Sequence, residues 1–347
     1  MHESLFQPLT MGALEAKNRI FMAPLTRGRS TQPGSVPNEM MATYYRQRAS
    51  AGLIISEATG ISVEGLGWPA APGIWSDEQV EGWKPITDGV HEEGGRIVLQ
   101  MWHMGRIVHP DFLGGEPPVS ASATTAPGHA HTPTGRKDYA QARALTVDEI
   151  KRVVEDYRKA GENAKKAGFD GVQIHAANGY LIDEFLRNGV NQRTDDYGGS
   201  VENRARLVLD VVDAVIAAAG DAGIVGIRIS PLGTFNGVED ANPLETFSYL
   251  LGELNSRGLA YVHVNKPDWA GGSYEGFDEL LAALRKVYKG DFILAGGLDG
   301  DSASAALDGG LAQFAAFGRP YIANPDLGNS RYKISLTSVF LGVSVGF

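Results

Sequence analysis

With 347 residues, 43% of them apolar, and a net charge of −10 from 31 basic and 41 acidic side chains, the chain can bury a large α/β core. Its acidic balance, without any dense Lys/Arg block, argues against nucleic acid or an anionic membrane surface as a partner. The absence of cysteine excludes a disulfide framework, thiolate zinc and a cysteine nucleophile together.

The opening MHESLFQPLT has no basic stretch followed by an apolar one, and no run approaches about 18 apolar residues. A cytoplasmic protein with no membrane span is expected. Leu9–Lys17 then reads as a small hairpin around Gly12, placed to close the bottom of whatever follows.

From there short apolar runs alternate with longer helical patterns. The runs are Ile20–Met22, Leu53–Ser56, Arg96–Gln100, Gly171–Ile174, Val225–Ile229, Tyr261–Val264, Phe292–Ala295 and Gln313–Ala315. They are rich in β-branched residues and bounded by Gly or Pro, and they read without clean alternation, as parallel strands buried on both faces do.

Helices are expected between them. Ser76 with Gln79 and Thr146 with Glu149 form capping boxes, and Asn242-Pro243 with Glu245 places a cap before proline at the first helical position. Asn38–Ala49, Ser200–Ala219, Gly276–Tyr288 and Ser302–Leu307 supply further helices, the eighth being the weakest. Eight strands each followed by a helix predict an α/β fold, a (β/α)₈ TIM barrel with an N-terminal hairpin and a long excursion after strand three, Gly105–Ala144. That excursion is too long for a plain connection and reads as a functional segment such as a lid. Residues 1–347 form one domain on this reading, with 328–347 an atypical C-terminal segment.

Barrel active sites gather at the C-terminal ends of the strands. The residues delivered there are Pro24, Leu25, Thr26, Ala58, Gln100, Trp102, His175, Asn178, Tyr180, Arg228, Gly296, Gly297, Gly318 and Arg319. This set lacks the carboxylate pair of a glycosidase and, apart from Lys266, a strand-end lysine for a Schiff base. Glycines after strands seven and eight, with an arginine beside them, suit a phosphate, though turn glycines would read the same way.

Gln100 offers a donor and an acceptor to a heteroaromatic edge. Arg228 calls for an anionic or strongly polar partner, either a ligand or a local carboxylate. His175 and Asn178 can donate two hydrogen bonds to one carbonyl oxygen, with Tyr180 as a nearby acid. They also fit a structural histidine beside an Asn-Gly turn. His103, His109, His129 and His131 lack zinc spacing and read as solvated loop histidines, so no metal is expected. Gly65-x-Gly67-x-x-Ala70 grazes a dinucleotide fingerprint, but Pro69 and Pro72 leave no helix to follow it. Trp68, Trp75, Trp83 and Trp102 are candidates for a pocket wall or for the core.

Taken together, NRIFMAPLTRGRS, LQMWHMGR, IHAANGYLIDEFL with NQRTDDYGGSVENR, and RISPLGTF resemble the Old Yellow Enzyme family of FMN-dependent ene-reductases. The likeness runs from LFQPLTMG to GRPYIANPDL, ending at Leu327. It implies a barrel that holds FMN non-covalently, is reduced by NADPH or NADH, and is oxidised by a small-molecule activated alkene. It implies flavin contacts from Pro24, Leu25, Thr26, Ala58, Gln100, Arg228 and Ala295, and a phosphate site at Gly296, Gly297, Gly318 and Arg319. His175 and Asn178 would bind the substrate carbonyl and Tyr180 would donate the proton, with Trp68 and Trp102 lining the substrate pocket. The final GNSRYKISLTSVFLGVSVGF departs from the family's longer last helix. Another FMN or phosphate-binding barrel, and a non-catalytic ligand-binding barrel, remain alternatives, and monomer and homo-oligomer are both open.

Overall fold

The short β-branched runs do become strands, and their parallel pairing closes a ring. A computed structural model of the chain describes residues 2–267 and 275–329. In chain order the strands are β1 (Ile20–Met22), β2 (Ile54–Ile55), β3 (Ile97–Trp102), β4 (Gly171–Ala176), β5 (Val225–Ile229), β6 (Tyr261–Asn265), β7 (Phe292–Ala295) and β8 (Phe314–Phe317). Each pairs in parallel with its successor, and β8 returns to β1 through Ala316 opposite Phe21. The result is the expected (β/α)₈ barrel. Its boundaries differ by one or two residues: β3 and β4 each run two residues further than expected, and β8 begins one later and ends two later.

A period of two inside the strands sorts side chains between two cores. Ile97, Leu99, Met101, Val172, Ile174, Val225, Ile227, Val262 and Val264 pack with the helices. The alternate positions, among them Phe21, Ile55, Val98, Tyr261, Ile293 and Phe314, fill the lower barrel, where the Phe21 and Phe314 rings stack at 4.6 Å. The hairpin Leu9–Met11 and Leu14–Ala16 delivers Met11, Leu14 and Ala16 into this second cluster, so it does close the bottom.

The helices are α1 (Glu39–Arg46), α2 (Asp77–Glu92), α3 (Val147–Lys166), α4 (Val201–Ala219), α5 (Pro243–Leu254), α6 (Phe277–Val287), α7 (Gly300–Asp308) and the five-residue α8 (Arg319–Ala323). Both expected capping boxes are present, Ser76 with Gln79 and Thr146 with Glu149, and the Asn242 side chain accepts from the Glu245 backbone N–H. Each such cap contributes about 1 kcal/mol by satisfying an otherwise orphaned amide. On α3 the buried face is Ile150, Val153, Tyr157, Ala160 and Ala164.

The excursion after β3 has structure that its composition concealed. His129–Thr132 and Gly135–Asp138 form an antiparallel hairpin, and Val119–Ser120 pairs in parallel with Arg143–Ala144. Most of the atypical C-terminal segment, from 330 onward, lies outside the described residues. No helix among the described residues is long and apolar enough to cross a membrane.

Candidate active site at the barrel mouth

β4 ends at Ala176 and the chain turns at once. Asn178 and Gly179 both take left-handed backbone, φ 62° and 73°, before Tyr180 opens the short helix Leu181–Leu186. Asparagine tolerates that region and glycine occupies it freely. Glycine is also required for space at 179, because a Cβ there would lie 2.5 Å from the Phe235 carbonyl oxygen. The turn is held from below: Ser230 Oγ accepts the Asn178 backbone N–H at 2.8 Å, and Asp183 accepts that of Gly179 at 2.9 Å.

This geometry gathers three rings. Trp102, at the end of β3, lies 6.5 Å from His175 in a near-parallel arrangement and meets Tyr180 edge to face at 5.0 Å. His175 and Tyr180 are edge to face at 5.1 Å. Burial, and then the Arg228 charge, hold the His175 imidazole well below its usual pKa, so the ring is neutral with one N–H to donate. Burial likewise holds the Tyr180 phenol above its ordinary range, so it keeps its proton. Nδ1 of His175 has no hydrogen-bond partner among the described residues.

Beneath the rings lies a polar layer, of which the sequence reading had Gln100 and Arg228 but not Gln173, His263 or Asn265. Gln100 Nε2 donates to Gln173 Oε1 at 2.6 Å, and the Gln173 amide reaches the Tyr261 hydroxyl and His263 Nδ1, each at 3.2 Å. Gln100 was expected to end its strand, but it lies within β3, opposite Gln173 in register, because the strand continues through Met101 to Trp102. Arg228 does not find the local carboxylate held open for it. Its Nη2 donates to Asn265 Oδ1 at 2.9 Å, Nε is buried without a partner, and no ion pair of Arg228 exists among the described residues. Burial lowers its pKa to about 10, so it remains a cation at neutral pH. Asn265 in turn donates to Asn178 Oδ1 at 3.4 Å.

The remaining candidates surround this centre. Pro24, Leu25 and Thr26 are half-buried in the loop after β1. That loop is anchored by Glu57, a buried carboxylate that accepts the backbone N–H groups of Arg27 and Gly28 at 3.0 and 3.2 Å. Tyr45 braces Glu57 from α1. Ala58 is buried beside it, and Ala295 ends β7. Gly296 and Gly297 follow β7 with φ 105° and 58°, Gly318 follows β8, and Arg319 is exposed at the start of α8. Trp68 is half-buried and packs against the cluster of Ala58, Leu66, Trp102 and Met104 on the mouth's outer side.

Other expectations need correcting. His103 and His109 are not solvated. His103 is 1% exposed and burial drives its pKa down to about 3, while its Nδ1 accepts the Gly105 N–H. His109 is buried and accepts the Asp111 N–H. Of the two readings open for Trp83 the core one holds: it is fully buried with its indole N–H on the Gly73 carbonyl. Among the described residues no group of three His, Asp or Glu could hold a metal ion.

A closed parallel barrel whose mouth joins a neutral histidine, an uncompensated arginine and a buried phenol defines the class of barrel oxidoreductases that bind a flavin. The chain belongs to the Old Yellow Enzyme family: the profile of the NADH:flavin oxidoreductase / NADH oxidase family matches residues 4–334. It is 43% identical over 330 residues to 12-oxophytodienoate reductase 1 of Oryza sativa subsp. japonica, covering 93% of this chain and 84% of that one. Among solved structures it is similar to the Old Yellow Enzyme homologue from Zymomonas mobilis, with a TM-score of 0.89, 53% identity and 93% and 90% of the two chains covered. It is also similar to morphinone reductase in complex with tetrahydroNAD, with a TM-score of 0.87, 48% identity and 93% and 88% covered. FMN is the family's cofactor and a nicotinamide its reductant.

The mouth fits FMN by its own chemistry. Arg228 is a buried cation with an unused N–H and no ion pair among the described residues, which suits a heteroaromatic that gains negative charge on reduction. Gly296 and Gly297 present backbone without a Cβ where a phosphate could approach.

Proposed function

We propose that this single-domain barrel is an ene-reductase acting on α,β-unsaturated carbonyl compounds or similar activated alkenes. The observation that carries the reading is the convergence of a neutral, buried His175, an oriented Asn178 amide and a protonated Tyr180 above Arg228.

Pro24, Leu25, Thr26, Ala58, Gln100, Arg228 and Ala295 would hold the ring system of FMN and Gly296, Gly297, Gly318 and Arg319 its phosphate, and the bound cofactor would supply hydride transfer from NADH or NADPH to the alkene β-carbon. The protein supplies the rest. His175 and Asn178 each donate a hydrogen bond to the substrate carbonyl oxygen. The Asn178 amide is oriented for this because Asn265 occupies its Oδ1, leaving Nδ2 to face substrate. Charge developing on the carbonyl oxygen is stabilised by these buried donors, a contribution of about 10²–10³ in rate per donor. Tyr180 then gives its proton to the α-carbon. The phenolic O–H breaks, a C–H bond forms, and the phenolate recovers its proton from solvent. Such delivery is worth about 10²–10⁴-fold. Trp102 and Trp68 line the substrate side.

The test is anaerobic: reduce the protein with NADPH, add 2-cyclohexenone and follow flavin absorbance. Reoxidation coupled to formation of cyclohexanone is the expected result, and a flavin that stays reduced until oxygen is admitted overturns the reading. The double variant His175→Ala/Asn178→Ala is expected to lose the long-wavelength charge-transfer band on titration with a phenol. A persisting band removes the pair from carbonyl binding.

A further inference from the structure

β6 ends at Asn265, whose side chain lies between the arginine of β5 and the turn after β4. Register places Arg228 opposite both His175 on β4 and His263 on β6, with Asn265 two residues further along β6 and so on the same face. The Asn265 Oδ1 accepts from Arg228 Nη2 at 2.9 Å, and its Nδ2 donates to Asn178 Oδ1 at 3.4 Å. Arg228, Asn178 and Asn265 are 8%, 5% and 2% exposed, which leaves bulk water little room to replace any partner. The direction of these bonds follows from the cation. A guanidinium has donors only, so it takes the oxygen end of an amide beside it. That turns the Asn265 nitrogen toward Asn178, which must answer with its own oxygen. The Asn178 nitrogen is then left to the mouth.

We propose that Asn265 is a specificity-determining positioning residue that relays the polarity of Arg228 to Asn178, so that the mouth selects ligands by an acceptor oxygen. The inference rests on the ene-reductase reading above, in which Asn178 holds the substrate carbonyl. The two ends of an amide are nearly the same size, so shape alone does not choose which one faces a ligand. A fixed neighbour of known polarity does. With Nδ2 outward, Asn178 favours a carbonyl or a phenolate and disfavours a group that must itself donate. The arginine that suits the flavin thereby also sets the donor that holds the substrate, through one intervening side chain.

The test is titration of the FMN-loaded protein with 4-chlorophenol, read by the long-wavelength charge-transfer band without turnover. Asn265→Asp keeps the shape and the bond from Arg228 but has no hydrogen to donate. The Asn178 amide is then expected to turn its nitrogen to the new carboxylate and its oxygen to the mouth, and phenol affinity to fall at least about tenfold. Asn265→Leu removes donor and acceptor together and frees the Asn178 amide to take either orientation, so its affinity should lie between wild type and Asn265→Asp. A merely structural role predicts the opposite order, since leucine loses both bonds and aspartate keeps the shorter one. In an Asn178→Ala background, which retains His175, Asn265→Asp should cost less than about twofold more. Simple repulsion by the new charge would persist there. Where Asn265→Asp does not retain FMN, Asn265→Leu carries the test alone, and wild-type phenol affinity in it overturns the inference. Wild-type affinity in Asn265→Asp, weaker binding in Asn265→Leu than in Asn265→Asp, or a full further loss in the Asn178→Ala background each overturns it too, while leaving the ene-reductase reading intact. A wild-type flavoprotein that no alkene reoxidises instead overturns that reading, and this inference with it.

Discussion

Asp183 holds the Gly179 backbone N–H at 2.9 Å with one carboxylate oxygen and Arg187 Nε at 2.7 Å with the other. Both side chains are buried, and Arg187 extends the link by donating Nη1 to the Pro231 carbonyl at 3.0 Å and Nη2 to that of Ser230. A buried ion pair thus joins the turn carrying Asn178 to the loop after β5. The left-handed geometry at 178 and 179 persists because this network over-determines it.

Removing one partner exposes what the pair does. Arg187→Met leaves Asp183 as an uncompensated buried carboxylate, and a loss of about 3–5 kcal/mol in unfolding free energy is expected from urea titration. Asp183→Asn added to Arg187→Met should recover part of that loss, since the amide can still accept from Gly179 without carrying charge. A double variant as unstable as the single one would show that the cost is packing of the guanidinium on Phe247, 4.8 Å away.

Tyr180→Phe is expected to slow alkene reduction by about 10²–10⁴-fold. Flavin reduction by NADPH, which needs no proton at that position, should continue unchanged. Stopped-flow measurement of the two half-reactions checks both, and unchanged alkene turnover would remove Tyr180 from its role.

Arg228→Met replaces this buried cation by an apolar side chain of similar length. FMN retention should fall at least tenfold, about 1.4 kcal/mol, read as flavin in the filtrate after centrifugal filtration. Arg228→Lys should restore it only in part, because a lysine ammonium lacks the planar fork.

Glu184 supplies a pH prediction. Burial, opposed by the Ser120 hydroxyl and by Arg106, raises its pKa from 4.5 to about 8. The folded state therefore keeps this proton through a range where the unfolded chain has lost it. The stability it contributes is full below 4.5 and declines as pH rises toward 8. Glu184→Gln, which preserves an acceptor for the Arg106 N–H and a partner for Ser120, should not show this decline. The difference in unfolding midpoint between the two proteins is expected to change steadily from about pH 5 to about pH 8 and then level off. A constant difference would contradict it.

The barrel was legible in the sequence because its signals are local. Capping boxes at Ser76 and Thr146, the Asn242-Pro243 start and eight β-branched runs need only neighbours in the chain to be read. His175, Asn178 and Tyr180 were legible as a cluster for the same reason, falling within six residues after a strand. The polar layer was not, although its trace was present. Gln100 and Arg228 were read, but Gln173 and His263 occupy alternate positions within strands read as apolar, and Asn265 lies one residue past the run read as a strand. A period of two in VQIH, GIRI and YVHVN was the signal, masked because the opposite face packs under helices and is apolar too.

What the sequence by itself determined is the order of elements and the residue types delivered to the mouth, since propensity, capping and periodicity act over a few positions. Only the tertiary structure decided the partners. It left Arg228 facing Asn265 instead of a carboxylate, buried His103 that composition read as solvated, and brought Asn236, 58 residues beyond Asn178 in the numbering, onto the Asn178 carbonyl. Those outcomes depend on which strands lie side by side and on how far burial strips water from each group. Neither is a property of any short stretch of chain.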